Sequence, residues 1–387
     1  MRLFCPKEQW LERSESYYRD VFDFYYRLLI QEEALWTKSI YTIQRELEIL
    51  TVPGRDGRIP KYPLPYEKVP VYFRRSAINK AAEAVKSAVS VGCTNGFPII
   101  HDASVTFFKG MYRGLSDTEI TLKLWNGCKW EWVPCRLTGR DFPKHCNLLS
   151  PALVRQDKWY MLHIPVKQDN PDSRTAKERM RAGENICSIR FTNTDIFAMC
   201  CVLDENGRQQ AVHTCRGGDA YRHYCRQLLE KIKKSRIYTE KDNSLQPEKK
   251  HFMHLKHLSE YYAHQVSREI VDFCTVEKAG IIVVPDYDID FSRMVMYRTG
   301  SFTPLFLSQR IRRYLQYKAW SQGILVLEAG AEGISSHCAV CGGKVRKKGK
   351  LSLCENGHTG NRFLNDARNL GRKCQESFAG KGYCPGE

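Results

Sequence analysis

The spacing of apolar and polar positions first indicates a helical segment. In residues 17–50 apolar side chains recur at helical spacing, which predicts a pair of amphipathic helices. A Pro- and Gly-rich piece, residues 52–70, ends them, and a further helix is predicted from about 75 to 89, with its apolar residues on one side and its cations elsewhere. Residues 17–89 therefore predict a small helical domain with a basic face.

In residues 104–167 the repeat of apolar positions changes from helical spacing to every second residue. Short runs of β-branched and aromatic residues follow one another, and Asn126-Gly127 lies between two of them, which is a strong hairpin signal. We interpret this stretch as a small antiparallel barrel. We interpret its tryptophans as residues of the barrel core that contact no base. They are Trp125, Trp130, Trp132 and Trp159.

Beyond a polar and basic linker at 168–184, strands and helices are mixed. Two strands joined by a turn are predicted in 185–207, and long helices in 221–236 and 249–277. The continuous apolar run at 280–287 is typical of a strand that is buried in a mixed sheet. A basic helix at 310–320 and a strand at 323–328 complete an α/β domain.

A cysteine-rich stretch follows this domain. Cys338-x-x-Cys341 is a zinc knuckle, and Cys354 with His358 offers a second ligand pair across a Lys- and Arg-rich loop. This spacing predicts a zinc ribbon that holds one structural Zn²⁺. Two C-terminal cysteines, Cys374 and Cys384, are alternatives to His358.

The net charge of +17 and the pI of about 9.2 predict a polyanionic partner. The sixteen cysteines form no regular framework, and neither a signal-peptide pattern nor an apolar run of ~20 residues is visible, so we expect reduced thiols, a cytoplasmic location and no membrane insertion. Candidate nucleic-acid contacts are cations on the predicted basic helices: Arg74, Arg75, Arg222, Arg226, Lys233, Lys234, Arg312 and Arg313.

Directly after the ribbon, the stretch NRFLNDARNL (361–370) resembles the third RuvC motif, D-x-N-A-A-x-N-I, of the transposon-encoded TnpB family, the ancestors of type V CRISPR effectors. The residues that match that motif are Asn365, Ala367, Asn369 and Leu370. Residues 188–192 and 280–287 are similar to the first and second RuvC motifs, in the family's order. Where the family has its fourth ribbon cysteine this chain has Gly357, so His358 would serve as the ligand.

The resemblance implies an α+β multidomain fold. A helical recognition domain, residues 16–97, would be inserted in an oligonucleotide-binding-like wedge barrel made of 1–15 and 98–180. A RuvC-like, RNase H-like domain would follow in 181–334 and 361–387, interrupted by the zinc ribbon at 335–360.

The resemblance also locates the three catalytic acids of the family, and here those positions are Arg190, Pro285 and Phe363. RuvC-type cleavage uses carboxylates to hold two metal ions about 3.5–4 Å apart, and none of these side chains supplies an oxygen ligand. Of the nearby acids we expect only Asp366 to approach the site, and one carboxylate cannot hold two metals. We therefore predict no RuvC cleavage and no catalytic Mg²⁺.

The resemblance thus leads us to expect a nuclease-dead, TnpB-like repressor associated with the bacterial nucleoid. It would bind a guide RNA and a matching double-stranded DNA target next to a short adjacent motif. Three alternatives stay open: an active RNA-guided endonuclease with displaced acids, a nuclease-dead type V CRISPR effector, and a guide-free zinc-ribbon protein that binds nucleic acid.

Overall fold

Two units make up the chain, Met1–Gln168 and Asp169–Glu387. The structure is a computed structural model. It describes residues 1–54, 57–93, 96–100, 103–143, 146–156, 158–239, 248–287 and 302–379, with the backbone alone for 236–239 and 248.

The helices of the first unit are α1 (Glu8–Gln31), a short 3-10 turn (Glu33–Leu35), α2 (Ile40–Thr51) and α3 (Val71–Ser90). Ser39 caps α2, because its side chain accepts a hydrogen bond from the Thr42 N–H. Helix α3 begins four residues earlier than the sequence predicted, directly after the extended Pro70. The three predicted helices are confirmed.

A six-stranded antiparallel sheet, in the order β2-β3-β4-β1-β7-β6, packs with these helices in one hydrophobic core. Its first strand lies between β4 and β7, so the N-terminal residues belong to the sheet as the resemblance implied. A further pair is β5 with β8. The strands are β1 (Arg2–Phe4), β2 (Tyr112–Arg113), β3 (Glu119–Trp125), β4 (Trp130–Thr138), β5 (Cys146–Leu148), β6 (Ala152–Gln156), β7 (Trp159–His163) and β8 (Val166–Gln168).

The predicted hairpin is confirmed, with Trp125 opposite Trp130 and a four-residue loop between them. Trp125 is half-buried and stacks on Tyr17, with ring centroids 5.3 Å apart. Trp159, in contrast, is 54% exposed beneath the guanidinium of Arg2. The interpretation of Trp159 as a core residue is therefore wrong.

The second unit is built on a five-stranded sheet in the order β11-β10-β9-β12-β13. The first three strands are antiparallel neighbours, whereas β12 runs parallel to both β9 and β13. This is the mixed sheet expected of a RuvC-like domain. Its elements are α4 (Ala176–Arg181), β9 (Asn185–Phe191), β10 (Ile196–Leu203), β11 (Gln209–Arg216), α5 (Gly218–Thr239), α6 (Glu248–Val276), β12 (Ala279–Asp286), α7 (Pro304–Ser321), β13 (Leu325–Gly330), β14 (Val345–Lys348), β15 (Leu351–Cys354), β16 (Thr359–Asn361) and α8 (Arg362–Ala379).

Successive side chains along a strand point to opposite faces of this sheet. Helices α5, α6 and α7 cover one face, where Cys187 and Ile282 are buried, and α8 covers the other, where Ile186 and Val283 are buried. Helix α8 approaches the sheet closely at Gly371, where an added Cβ would lie 2.5 Å from a methyl carbon of Leu203.

The segment predicted as a linker is anchored in the second unit. Thr175 and Glu178 form a capping box at α4, and the side chain of Arg179 is only 1% exposed. Its guanidinium donates hydrogen bonds to the carbonyls of Gly280, at the start of β12, and Gly323. The break between the units therefore falls before this segment, at Gln168.

Candidate metal centre and nucleic-acid interface

The four predicted zinc ligands come together in the second unit. Each of Cys338, Cys341, Cys354 and His358 offers one ligand atom, and these atoms all lie within 4.8 Å of one another. The sulfurs of Cys341 and Cys354 are 3.4 Å apart. The knuckle precedes β14, and the second ligand pair spans the turn between β15 and β16.

Backbone hydrogen bonds shape both turns. The N–H of Gly342 donates to the carbonyl of Cys338 at 2.8 Å, and the N–H of Cys354 donates to the carbonyl of His358 at 2.8 Å. Gly357 has a φ of +84°, a conformation that favours glycine, so the family's cysteine is replaced here by the residue that the turn requires.

The chemistry of this group fits a tetrahedral Zn²⁺ site. The buried Nδ1 of His358 has no hydrogen-bond partner among the described residues, as expected of an atom that would bind a metal. Hydrogen bonds from the Gly343 backbone and the Asn356 side chain lower the pKa of Cys341 to about 6, which favours the thiolate that zinc binds. Cys374 is a buried residue of α8 in the core between that helix and the sheet, and Cys384 is outside the described residues.

The asparagines of the RuvC-like motif hold the ribbon against α8. The Asn365 side chain accepts a hydrogen bond from the Ala339 N–H and donates one to the His337 carbonyl, both at 2.8 Å. Asn369 donates to the carbonyls of Ile334 and His337. The match of these asparagines to the motif thus reflects a structural contact with the knuckle, which sequence reasoning did not identify.

The three positions aligned with the catalytic acids share one face of the sheet. Arg190 lies in β9 on the same face as Ile186, and Pro285 lies in β12 on the same face as Val283, both facing α8 by the two-residue period. Phe363, in the first turn of α8, is 5% exposed and packs with Ile196 and Met199.

The side chain of Arg190 is engaged by a buried acid. Its Nε donates to a carboxylate oxygen of Asp366 at 3.0 Å, and the guanidinium also donates to the hydroxyl of Tyr287. Burial raises the pKa of Asp366, and the neighbouring positive charge of Arg190 opposes that rise. The expected approach of Asp366 to this place is confirmed.

Two other acids near the aligned positions, Asp195 and Asp286, lie elsewhere. The Asp195 carbonyl accepts a hydrogen bond from the Gly218 N–H at the start of α5, and Asp286 is exposed at the end of β12. Within the described ranges, carboxylates do not gather around Arg190 into a group of three that could hold a metal ion.

The candidate nucleic-acid contacts fall into two groups. Glu48 on α2 pairs with both Arg74 and Arg75, while Arg222 pairs with Asp219 and Arg312 with Glu328. The rest are exposed on α5 and α7, namely Arg226, Lys233, Lys234 and Arg313. Binding by either group stays a prediction. None of the described helices is long and apolar enough to cross a membrane.

Comparison with known proteins supports the resemblance. Residues 309–370 match the family model of the Cas12f1-like TNB domain, and residues 1–126 match that of the Aq_aa04 family. No curated protein sequence matches the chain. A cryo-EM structure of a Cas12f1–sgRNA–target DNA complex matches with a TM-score of 0.58 at 11% identity, covering 94% of this chain and 81% of that chain.

A second solved structure, Alicyclobacillus acidoterrestris C2c1 with a single-guide RNA, matches with a TM-score of 0.47 at 9% identity, covering 94% of this chain and 70% of that one. The fold of Cas12f1 and the TNB match both bear out the resemblance to the TnpB family inferred from the motifs. Residues 309–370 are thus similar to a Cas12f1-like TNB domain, and the chain has the fold of Cas12f1.

Proposed function

We propose that this protein is an RNA-guided DNA-binding protein that does not cleave its target. It binds a guide RNA and a matching double-stranded DNA next to a short adjacent motif, and it represses transcription. One contrast carries the proposal: the chain has the fold of Cas12f1, which was solved with sgRNA and target DNA, yet Arg190, Pro285 and Phe363 carry no carboxylate.

Electrostatics at the degenerate site support the lack of cleavage. Two-metal catalysis needs several carboxylates around paired divalent cations. Here Asp366 is bound to the guanidinium of Arg190, whose positive charge repels a metal ion. An acid supplied from another position would have to break the Arg190–Asp366 pair before Mg²⁺ could bind at this place.

The net charge supports nucleic-acid binding. A net charge of +17 favours a polyanion, and base pairing with a guide RNA would supply the sequence specificity. A stable complex that leaves the DNA intact blocks RNA polymerase, which leads to repression at the bacterial nucleoid.

The test begins with expression of the protein together with its native flanking DNA. RNA that co-purifies is sequenced, and a single species with a variable guide-like end is expected. A duplex that matches this guide is then incubated with the complex in Mg²⁺, and a retarded band without cleavage products is expected. A target with mismatches in the guide's seed region is the control and should not be retarded.

Each alternative has its own result. Metal-dependent cleavage of the matched duplex would show an active endonuclease with displaced acids. Random RNA, or none, would leave a guide-free zinc-ribbon protein. A repeat array beside the gene, with guides drawn from it, would indicate a nuclease-dead CRISPR effector.

A further inference from the structure

A second group of metal-binding side chains lies on the opposite face of the five-stranded sheet from α8. His213 and Cys215 are two residues apart on β11, so their side chains share one face, and Glu269 on α6 lies above them. One ligand atom from each of the three lies within 4.8 Å of the other two. Nε2 of His213 and a carboxylate oxygen of Glu269 are 2.6 Å apart.

The three side chains are held in place by their surroundings. The imidazole of His213 stacks on Phe273 of α6, with ring centroids 5.1 Å apart, and Cys215 is fully buried. The side chains of His213 and Glu269 are each 34% exposed, so one side of the group is open to solvent.

The neighbourhood is rich in reduced sulfur. Cys200 lies directly across from His213 in the β10–β11 ladder, and its thiol interacts with those of Cys215 and Cys187. Cys274 on α6 continues this set through its contact with Cys187. A hydrogen bond between His213 and Glu269 needs no thiol, whereas a metal ion would use all three groups.

We infer that His213, Cys215 and Glu269 bind a second transition-metal ion, with Zn²⁺ as the ion that suits this ligand set, at a site separate from the ribbon. Nitrogen, sulfur and oxygen ligands together favour a borderline ion over Mg²⁺ or Ca²⁺. Three protein ligands with an open side leave the fourth position for water. The ion links the edge strand β11 to α6.

The test compares metal content among full-length variants that are purified with their bound nucleic acid and loaded with Zn²⁺. Cys215→Ser and Glu269→Gln are each expected to lose one zinc ion per chain by elemental analysis while the ribbon keeps its own. Cys354→Ser should lose only the ribbon ion. Cys201→Ser, a buried cysteine on the other face of β10, is the matched control and should lose none.

Cobalt substitution gives an independent readout. In the Cys354→Ser background, Co²⁺ should still produce a sulfur-to-cobalt charge-transfer band, and adding Cys215→Ser should abolish it. Glu269→Gln changes a partly exposed side chain and keeps a hydrogen bond to His213, so its circular dichroism should match that of the wild type. The inference is overturned if Cys354→Ser removes all the bound zinc, or if Cys215→Ser and Glu269→Gln retain the wild-type content.

Discussion

Two places in the second unit, the ribbon and the proposed degenerate RuvC site around Arg190, differ in the metal-binding side chains that they hold. The ribbon has four convergent ligands, whereas among the described residues one carboxylate reaches Arg190, and it is bound to the guanidinium. A structural zinc site contributes directly to the free energy of folding, because its ligands do not converge in the unfolded chain. Carboxylates that are clustered for catalysis repel one another and add nothing to folding.

The replacements at the degenerate site fit this difference. Phe363 packs into a small apolar cluster with Ile196 and Met199, and Arg190 neutralises the buried Asp366. If the chain has lost cleavage, as proposed, apolar and paired side chains in place of catalytic acids are a change that stability favours. Under the proposed function, metal ligands that the fold needs are kept while those that only the reaction needs are absent.

Removing a zinc ligand from the ribbon should have the largest effect on stability. In Cys354→Ser the tetrahedral site loses a thiolate, and structural zinc binding is worth on the order of 10 kcal/mol in isolated zinc fingers. We expect zinc content to fall and residues 338–361 to lose hydrogen-exchange protection, while the strands of the five-stranded sheet keep theirs. Hydrogen exchange with mass spectrometry measures both regions in one sample.

The control for this experiment is Cys128→Ser, which changes an exposed cysteine in the first unit. His358→Cys should retain the zinc ion, and His358→Ala should lose it. Unaltered ribbon protection in Cys354→Ser would show that metal does not hold this segment together.

Removing the guanidinium tests the degenerate site. Because burial raises the pKa of Asp366, the folded protein holds the carboxyl proton more tightly than the unfolded chain does. The stability from this group is present below the carboxyl's unfolded pKa and is lost as the pH rises through its folded pKa. Arg190→Met removes the neighbour that opposes the rise, so its free energy of unfolding should drop by about 3 kcal/mol at neutral pH, the cost of breaking a buried pair.

Urea denaturation of Arg190→Met at acidic and neutral pH measures this loss. The matched control is Arg190→Met with Asp366→Asn, in which the titrating group is gone and the added pH dependence should vanish. Equal pH dependence in the single and double variants would mean that Asp366 is solvated when Arg190 is absent.

The smallest effect is expected from the exposed cations of α5. Replacing Lys233 and Lys234 by Ala should reduce the salt dependence of RNA binding, by about 0.7 in the log–log slope for each phosphate that the protein no longer neutralises. Arg74→Ala should instead lower stability, because that side chain is 11% exposed and paired with Glu48. An unchanged slope in the α5 variant would remove this helix from the interface.

Local pattern predicted much of this molecule. Helical spacing identified α1 to α3, a turn dipeptide identified the hairpin, and cysteine spacing identified the ribbon. Each of those signals is contained in a short stretch of chain. Strand β11 was not predicted, because an edge strand with polar side chains on its open face lacks a clear alternation.

Local sequence patterns could not predict contacts between residues that are far apart in the chain. Glu48 is 26 positions from Arg74, and Glu269 is 56 positions from His213. Nothing in the neighbouring sequence marks Arg74 as a paired cation or His213 as part of a metal-binding group. The sequence located Asp366 near the degenerate site only because a family motif supplied the register.

The close packing at Gly371 affects the position of Asp366 relative to Arg190. Helix α8 rests against β9 and β10 where this residue has no side chain, with Leu203 and Ser188 filling the space that a Cβ would need. Asp366 lies five residues earlier, roughly 7.5 Å along the helix axis. The distance between helix and sheet that brings Asp366 to Arg190 is therefore limited by the contact at Gly371, more than a helical turn away. A single methyl group at Gly371 would push the helix away from the sheet. It would separate Asp366 from Arg190 while leaving both side chains in place.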